Sequence, residues 1–151
     1  MKDSRNSKED LRSRLVETAL LWQARFGVAP AITATLSELD AALLVGMSED
    51  EYCLDCSHRT AVTKGHDFSY LGCRYQVKAN RPSGRPGSPV TLVGKVSNYE
   101  WDRLIWILYD RYYVLQEAWE WTADEYRLHL STLSRLAPIH MRKGRQLFPK
   151  S

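Results

Sequence analysis

Asp67, Gln76 and Lys78 bring an acid, an amide and an amine into one short stretch of chain. A carboxylate and an amide oxygen are both hard donors of the kind Mg2+ takes while it keeps several waters. A lysine beside them can orient or help deprotonate one of those waters, or stabilise the charge that builds on a phosphate. That is the outline of phosphodiester hydrolysis, provided the three side chains meet.

Their meeting depends on a hairpin. From Asp67 to Lys78 the sequence alternates with the period of a strand. With Leu71 and Gly72 as the turn, Tyr70 pairs with Cys73, Phe68 with Tyr75 and Asp67 with Gln76. One face then carries Phe68, Tyr70, Cys73, Tyr75 and Val77, and the other carries Asp67, Ser69, Arg74, Gln76 and Lys78. A four-residue loop keeps this register, whereas a three-residue loop slips it by one and mixes the faces. Leu-Gly is not a favoured two-residue turn, which leaves the loop type open. The polar face alone does not decide the chemistry. The solvated side of a half-buried hairpin, with a weak ion pair between Asp67 and Lys78, has the same pattern.

The surrounding elements read as helices first and strands afterwards. Ser7 with Asp10 resembles a capping box, and Leu11, Leu15, Ala19, Trp22 and Phe26 recur at helical spacing up to Gly27, with Trp22 and Phe26 as core anchors. After Pro30, Ile32, Leu36, Leu39 and Leu43 mark a second helix, which carries Glu38 and Asp40 and ends at Gly46. Ser48 with Glu51 caps a third, running to about Cys56. Asn80 to Pro89 has too much proline and glycine for a regular element and reads as a loop. Val90 to Val93 is a candidate strand, Leu104 to Tyr109 a strand buried on both faces, and Tyr113 to Trp121 a further strand. Thr122 with Glu125 opens a last helix through about Leu130. Trp101, Trp106, Trp119 and Trp121 read as core or sheet-covering residues.

The chain of 151 residues, 44% apolar and 26% charged, fits a single domain spanning 1–151, with a basic C-terminal tail from about 134. No run approaches the roughly 20 apolar residues of a membrane helix, the N-terminal stretch is too charged for a signal peptide, and three cysteines cannot all pair. The expectation is a cytoplasmic protein. Charge is unevenly placed. Phe26 to His58 contains no Lys or Arg, while Phe68 to Tyr99 and Tyr126 to the end contain no acid. Two basic stretches suit a phosphate-lined partner, although solvated basic faces give the same count.

An acid on an upstream helix, then His66-Asp67, then Tyr75-Gln76-Val77-Lys78 on the next strand resembles the PD-(D/E)xK nuclease superfamily over the stretch from Glu38 to Trp121. The resemblance implies an α/β fold of the restriction-endonuclease-like type, with a mixed central β-sheet flanked by α-helices. It implies a Mg2+-dependent DNA endonuclease in which Mn2+ can substitute, with Glu38, Asp67, Gln76 and Lys78 as catalytic residues. Glu38, Asp67 and Gln76 would hold the metal and Lys78 would serve the attacking water. Gln76 stands where the family has Asp or Glu, similar to a Gln-x-Lys variant; it removes one negative charge and keeps an oxygen ligand. His66 stands where proline is usual. A homodimer, or a partner subunit supplying recognition, is also implied.

DNA contacts are expected from the loop after the active strand, through Arg81, Ser83 and Arg85, from the tail through Arg142, Lys143 and Arg145, and from Arg59 and Arg74 beside the hairpin. Two other readings stay open: an inactive module on the same fold that binds nucleic acid or a protein, and an interaction protein with no nucleic-acid role. A rival metal reading takes Cys53 and Cys56 with His58, His66 and Cys73 as a zinc site, but the second half lacks a matching pair and alternation turns Cys73 toward the core.

Overall fold

The computed structural model describes residues 4–59, 65–83, 85 and 87–150. Three helices come first: α1 (Ser4–Phe26), α2 (Thr33–Leu44) and α3 (Glu49–Ser57). The strands β1 (Phe68–Tyr70), β2 (Cys73–Asn80), β3 (Arg103–Tyr109) and β4 (Leu115–Thr122) follow, then α4 (Ala123–His129), α5 (Pro138–Met141) and β5 (Arg145–Phe148). The five strands form one mixed sheet in sequence order, antiparallel except for the parallel pair β2 and β3. The α/β class and the mixed sheet with helices are as the sequence implied. No helix among the described residues is long and apolar enough to cross a membrane.

Strand alternation splits the sheet into two packed faces. Phe68, Tyr75, Val77, Ile105, Ile107 and Tyr109 lie against Leu36, Ala41 and Ala42 of α2 and Ala19 of α1. Leu104, Trp106 and Trp121 lie on the other side with Trp101, Tyr126, Leu136 and Met141. β3 contributes fully buried residues to both, which is why its sequence is a continuous apolar run. The hairpin register holds as read, with Phe68 opposite Tyr75 and Tyr70 opposite Cys73. Leu71 and Gly72 both take positive φ, 50° and 75°, the sign pattern of a type I′ turn. Leucine is uncommon there because its Cβ crowds the following carbonyl.

Several expectations are corrected. The first helix is already under way at Ser4, so Ser7 does not cap it. Of its apolar stripe only Ala19 is buried; Trp22 and Phe26 are 52% and 62% exposed and are not core anchors. α1 docks instead through Val16, Ala19 and Leu20, with polar anchors beside them. Arg12 grips Asp40 through two hydrogen bonds, and Gln23 donates to the Ser83 carbonyl and accepts from Arg81. Val90 to Val93 forms no strand, only an isolated bridge from Val93 to Leu136. The basic tail is not a tail. Leu136 and Met141 are buried, and β5 pairs with β4 to extend the sheet. α3 keeps its full capping box at Ser48 and Glu51, and Thr122 accepts from the Glu125 N–H at the start of α4.

Candidate active site

The ladder between β1 and β2 ends at Phe68. One residue earlier the chain changes partner. The Asp67 N–H donates to the Tyr75 carbonyl at 2.8 Å, and Asp67 Oδ2 accepts the Val77 N–H at 2.7 Å. The carboxylate takes the ladder bond that a further backbone carbonyl would have taken, so it sits at the sheet edge on the peptide N–H of the residue flanked by Gln76 and Lys78. The sequence pairing of Asp67 with Gln76 on one polar face is corrected here, because Asp67 leaves the ladder to satisfy a strand N–H that β1 is too short to reach.

Gln76 and Lys78 do share a side of β2. They stand opposite Leu104 and Trp106 of β3, half-buried, on the face away from α2. Among the described residues Lys78 has no ion-pair partner. Glu38 arrives from α2, on the opposite side of the sheet, and meets Asp67 at the edge. Burial pushes its carboxyl up to about 7, with the Asp67 charge and a hydrogen bond to Asp67 adding to the rise and Arg59 partly offsetting it. Glu38 thus resists ionisation beside Asp67, and charge on both acids at once is disfavoured.

Arg59 brings positive charge to Glu38. Its Nη1 lies 3.7 Å from Glu38 Oε2 and its Nη2 3.1 Å from Asp55 Oδ2, and its guanidinium carbon is 5.5 Å from the centre of the Tyr52 ring. Asp55 also accepts the Ser69 N–H at 3.4 Å, which ties the end of α3 to β1. Asp55 and Tyr52 were not singled out from the sequence. The four-residue spacing of Asp55 and Arg59 at a helix end was visible, but the sequence does not say that this pair faces Glu38.

The remaining cationic candidates divide by what they already hold. Arg74 pairs with Asp102, and Arg142 makes two hydrogen bonds to Glu117. Arg81 donates to the Arg111 carbonyl and to Gln23 while lying over the Tyr113 ring at 4.2 Å. These three are engaged within the fold. Ser83 accepts the Arg85 N–H at 3.4 Å, and Arg85, Lys143 and Arg145 are exposed. The zinc reading is not met: Cys53 and Cys56 are exposed on α3, Cys73 packs with the α2-side core, and His66 bonds Ser69. Among the described residues no group of three or more His, Cys, Asp or Glu is placed to hold a metal ion. Glu38 reaches Asp67 from the α2 side while Gln76 stands on the other face of β2, so the hard oxygens that meet are those of the two carboxylates, donors of the kind a well-hydrated cation takes.

Gly65, two residues before Asp67, is required by its backbone. At φ of 94° it leaves no room for a side chain, since a Cβ there would fall 2.3 Å from Glu100 Oε2. No protein-family model matches this chain, and no curated protein sequence matches it.

Proposed function

We propose that this domain is a Mg2+-dependent endonuclease that hydrolyses DNA phosphodiester bonds, on a fold of the restriction-endonuclease-like type. The observation that supports it best is the contact between Glu38 and Asp67, with Asp67 held on the peptide between Gln76 and Lys78. Like-charged carboxylates brought together at a half-buried edge are costly unless a proton or a cation is shared between them, and above about pH 7 the proton is lost. Glu38 and Asp67 would hold Mg2+ or Mn2+. The ion, when bound, supplies charge stabilisation on the phosphate and a more acidic water.

The protein's own groups account for the rest. The Val77 N–H fixes one oxygen of Asp67, leaving the other for Glu38 or a ligand. Lys78, on the face of β2 away from Glu38, would have to reach round the sheet edge to orient an attacking water or meet a phosphate oxygen. Gln76 lowers the site's negative charge by one relative to an acid. Arg85, Lys143 and Arg145 are the exposed cations available for backbone phosphates, and a second copy or a recognition subunit would supply the other cut of a duplex.

The second reading is a binding module with a silent site. It is favoured by Gln76 in place of an acid and by the arginines already engaged within the fold. Incubation of the protein with supercoiled plasmid and Mg2+ or Mn2+ separates the two. Nicking or cutting that falls at least about 100-fold in Lys78→Ala and Asp67→Ala supports the enzyme. Salt-sensitive DNA retention without cutting supports the module, and neither cutting nor retention removes both.

A further inference from the structure

Arg59 stands where a cation is called for, and its two contacts differ in kind. Nε and Nη2 share one oxygen of Asp55 at 3.3 and 3.1 Å, a two-donor clamp at the end of α3. Its approach to Glu38 is a single 3.7 Å contact from Nη1, too long for a hydrogen bond. Asp55 is itself held by the Ser69 N–H, so the anchor is rigid and the Glu38 end is the loose one. The side chain is also half-buried against Tyr52, which strengthens its field on the acids.

Resting on the nuclease reading above, we propose that Arg59 is the resident counter-ion of the Glu38 and Asp67 pair, displaced from Glu38 when a divalent cation binds and then presented to the scissile phosphate. A guanidinium and a divalent ion repel each other at one carboxylate, and the weaker, single contact yields. The clamp at Asp55 acts as a pivot, so the charge moves by side-chain rotation alone. Once turned, the planar fork offers paired donors that match two phosphate oxygens, which a lysine does not. Arg59 thereby protects the acid pair from its own repulsion in the absence of metal and adds positive charge at the substrate in its presence.

Mn2+ titration of the wild-type chain, Arg59→Gln and Arg59→Lys, followed by the electron paramagnetic resonance signal of the free ion, tests the displacement, with circular dichroism confirming that each variant is folded. Arg59→Gln binds Mn2+ roughly fivefold more tightly than wild type, because the competing charge is gone, and Arg59→Lys stays within about twofold of wild type. At saturating Mn2+, Arg59→Gln cleaves plasmid at least about tenfold more slowly. A residue with a merely structural role would loosen Mn2+ binding when removed. Equal or weaker binding by folded Arg59→Gln overturns the displacement, and unchanged cleavage at saturating Mn2+ overturns delivery to the phosphate. A wild-type chain that binds no Mn2+ overturns the nuclease reading and this inference with it, a result distinct from either of the others.

Discussion

Two carboxylates of α2, Glu38 and Asp40, lie two residues apart and meet opposite fates. Asp40 receives Arg12 Nε at 2.9 Å on one oxygen and Arg12 Nη2 at 2.6 Å on the other, and Tyr109 donates its hydroxyl to it as well. Its charge is matched and its lone pairs are occupied. Glu38 faces Asp67, a second acid, with Arg59 reaching it only at 3.7 Å. The first acid is part of the structure, locking α1 to α2 and β3. The second resists ionisation beside another acid, the pattern expected of a binding site under the proposed function and not of a structural ion pair.

The two acids should differ most in what their loss does to stability. Asp40→Ala strands Arg12 and Tyr109 in a partly buried setting and should lower unfolding free energy by about 3 kcal/mol in urea denaturation. Glu38→Gln at pH 8 should instead leave stability unchanged or raise it by about 1–2 kcal/mol, since it removes a repulsion. Equal losses from both variants would mean that the two acids do the same work.

A pH series sharpens the contrast. The Glu38 carboxyl rises from an ordinary 4.5 to about 7 in the fold, so the folded chain binds more protons than the unfolded one between those values. The protonated carboxyl is the form the fold favours, and that advantage is present below 4.5 and lost as pH climbs through 7. With the side chain 27% exposed, the swing discounts to about 2 kcal/mol. Metal-free wild type therefore loses stability from pH 5 to pH 8 by about this amount more than Glu38→Gln, measured by urea denaturation at each pH. A Glu38→Gln profile parallel to wild type would sink the assignment.

Cation binding gives the next effect. Mn2+ at ten times its Kd should stabilise the wild type by about 1.4 kcal/mol, roughly 3–5 °C in Tm, and leave Glu38→Gln and Asp67→Asn nearly unshifted. The smallest change is expected far from either acid: Arg142→Ala breaks a surface pair with Glu117 and should cost under about 1 kcal/mol, with no effect on the Mn2+ response.

What the sequence disclosed follows from which forces act locally. The strand through Leu104 to Tyr109 was legible because both of its faces are buried, and α3 because its Ser48 and Glu51 box is a contact within one turn. The hairpin register was legible because one slip exposes Phe68 and Tyr75. α1 misled because the residues that dock it, Val16, Ala19 and Leu20, only partly coincide with the stripe read from the sequence, and Arg12 and Gln23 reach partners on α2 and the loop after β2. α5 and β5 escaped because four-residue elements carry no period, although Met141 is wholly buried. In the site, Glu38 and Asp67 were both named from the resemblance, but periodicity cannot show that a helix on one face of the sheet meets an aspartate at its edge. Arg59 reads in the sequence as a DNA contact; its ion pair with Asp55 is local, whereas its contact with Glu38 crosses elements that no local pattern links.

Under the proposed function Glu38 and Asp67, not Asp40, would hold the cation. Crystals soaked in Mn2+ and measured at the manganese absorption edge address this directly. The expected result is an anomalous peak bound by both Glu38 and Asp67, with no peak at Asp40. An absence of density at the pair under saturating Mn2+, or Glu38 turned away from Asp67, would contradict it.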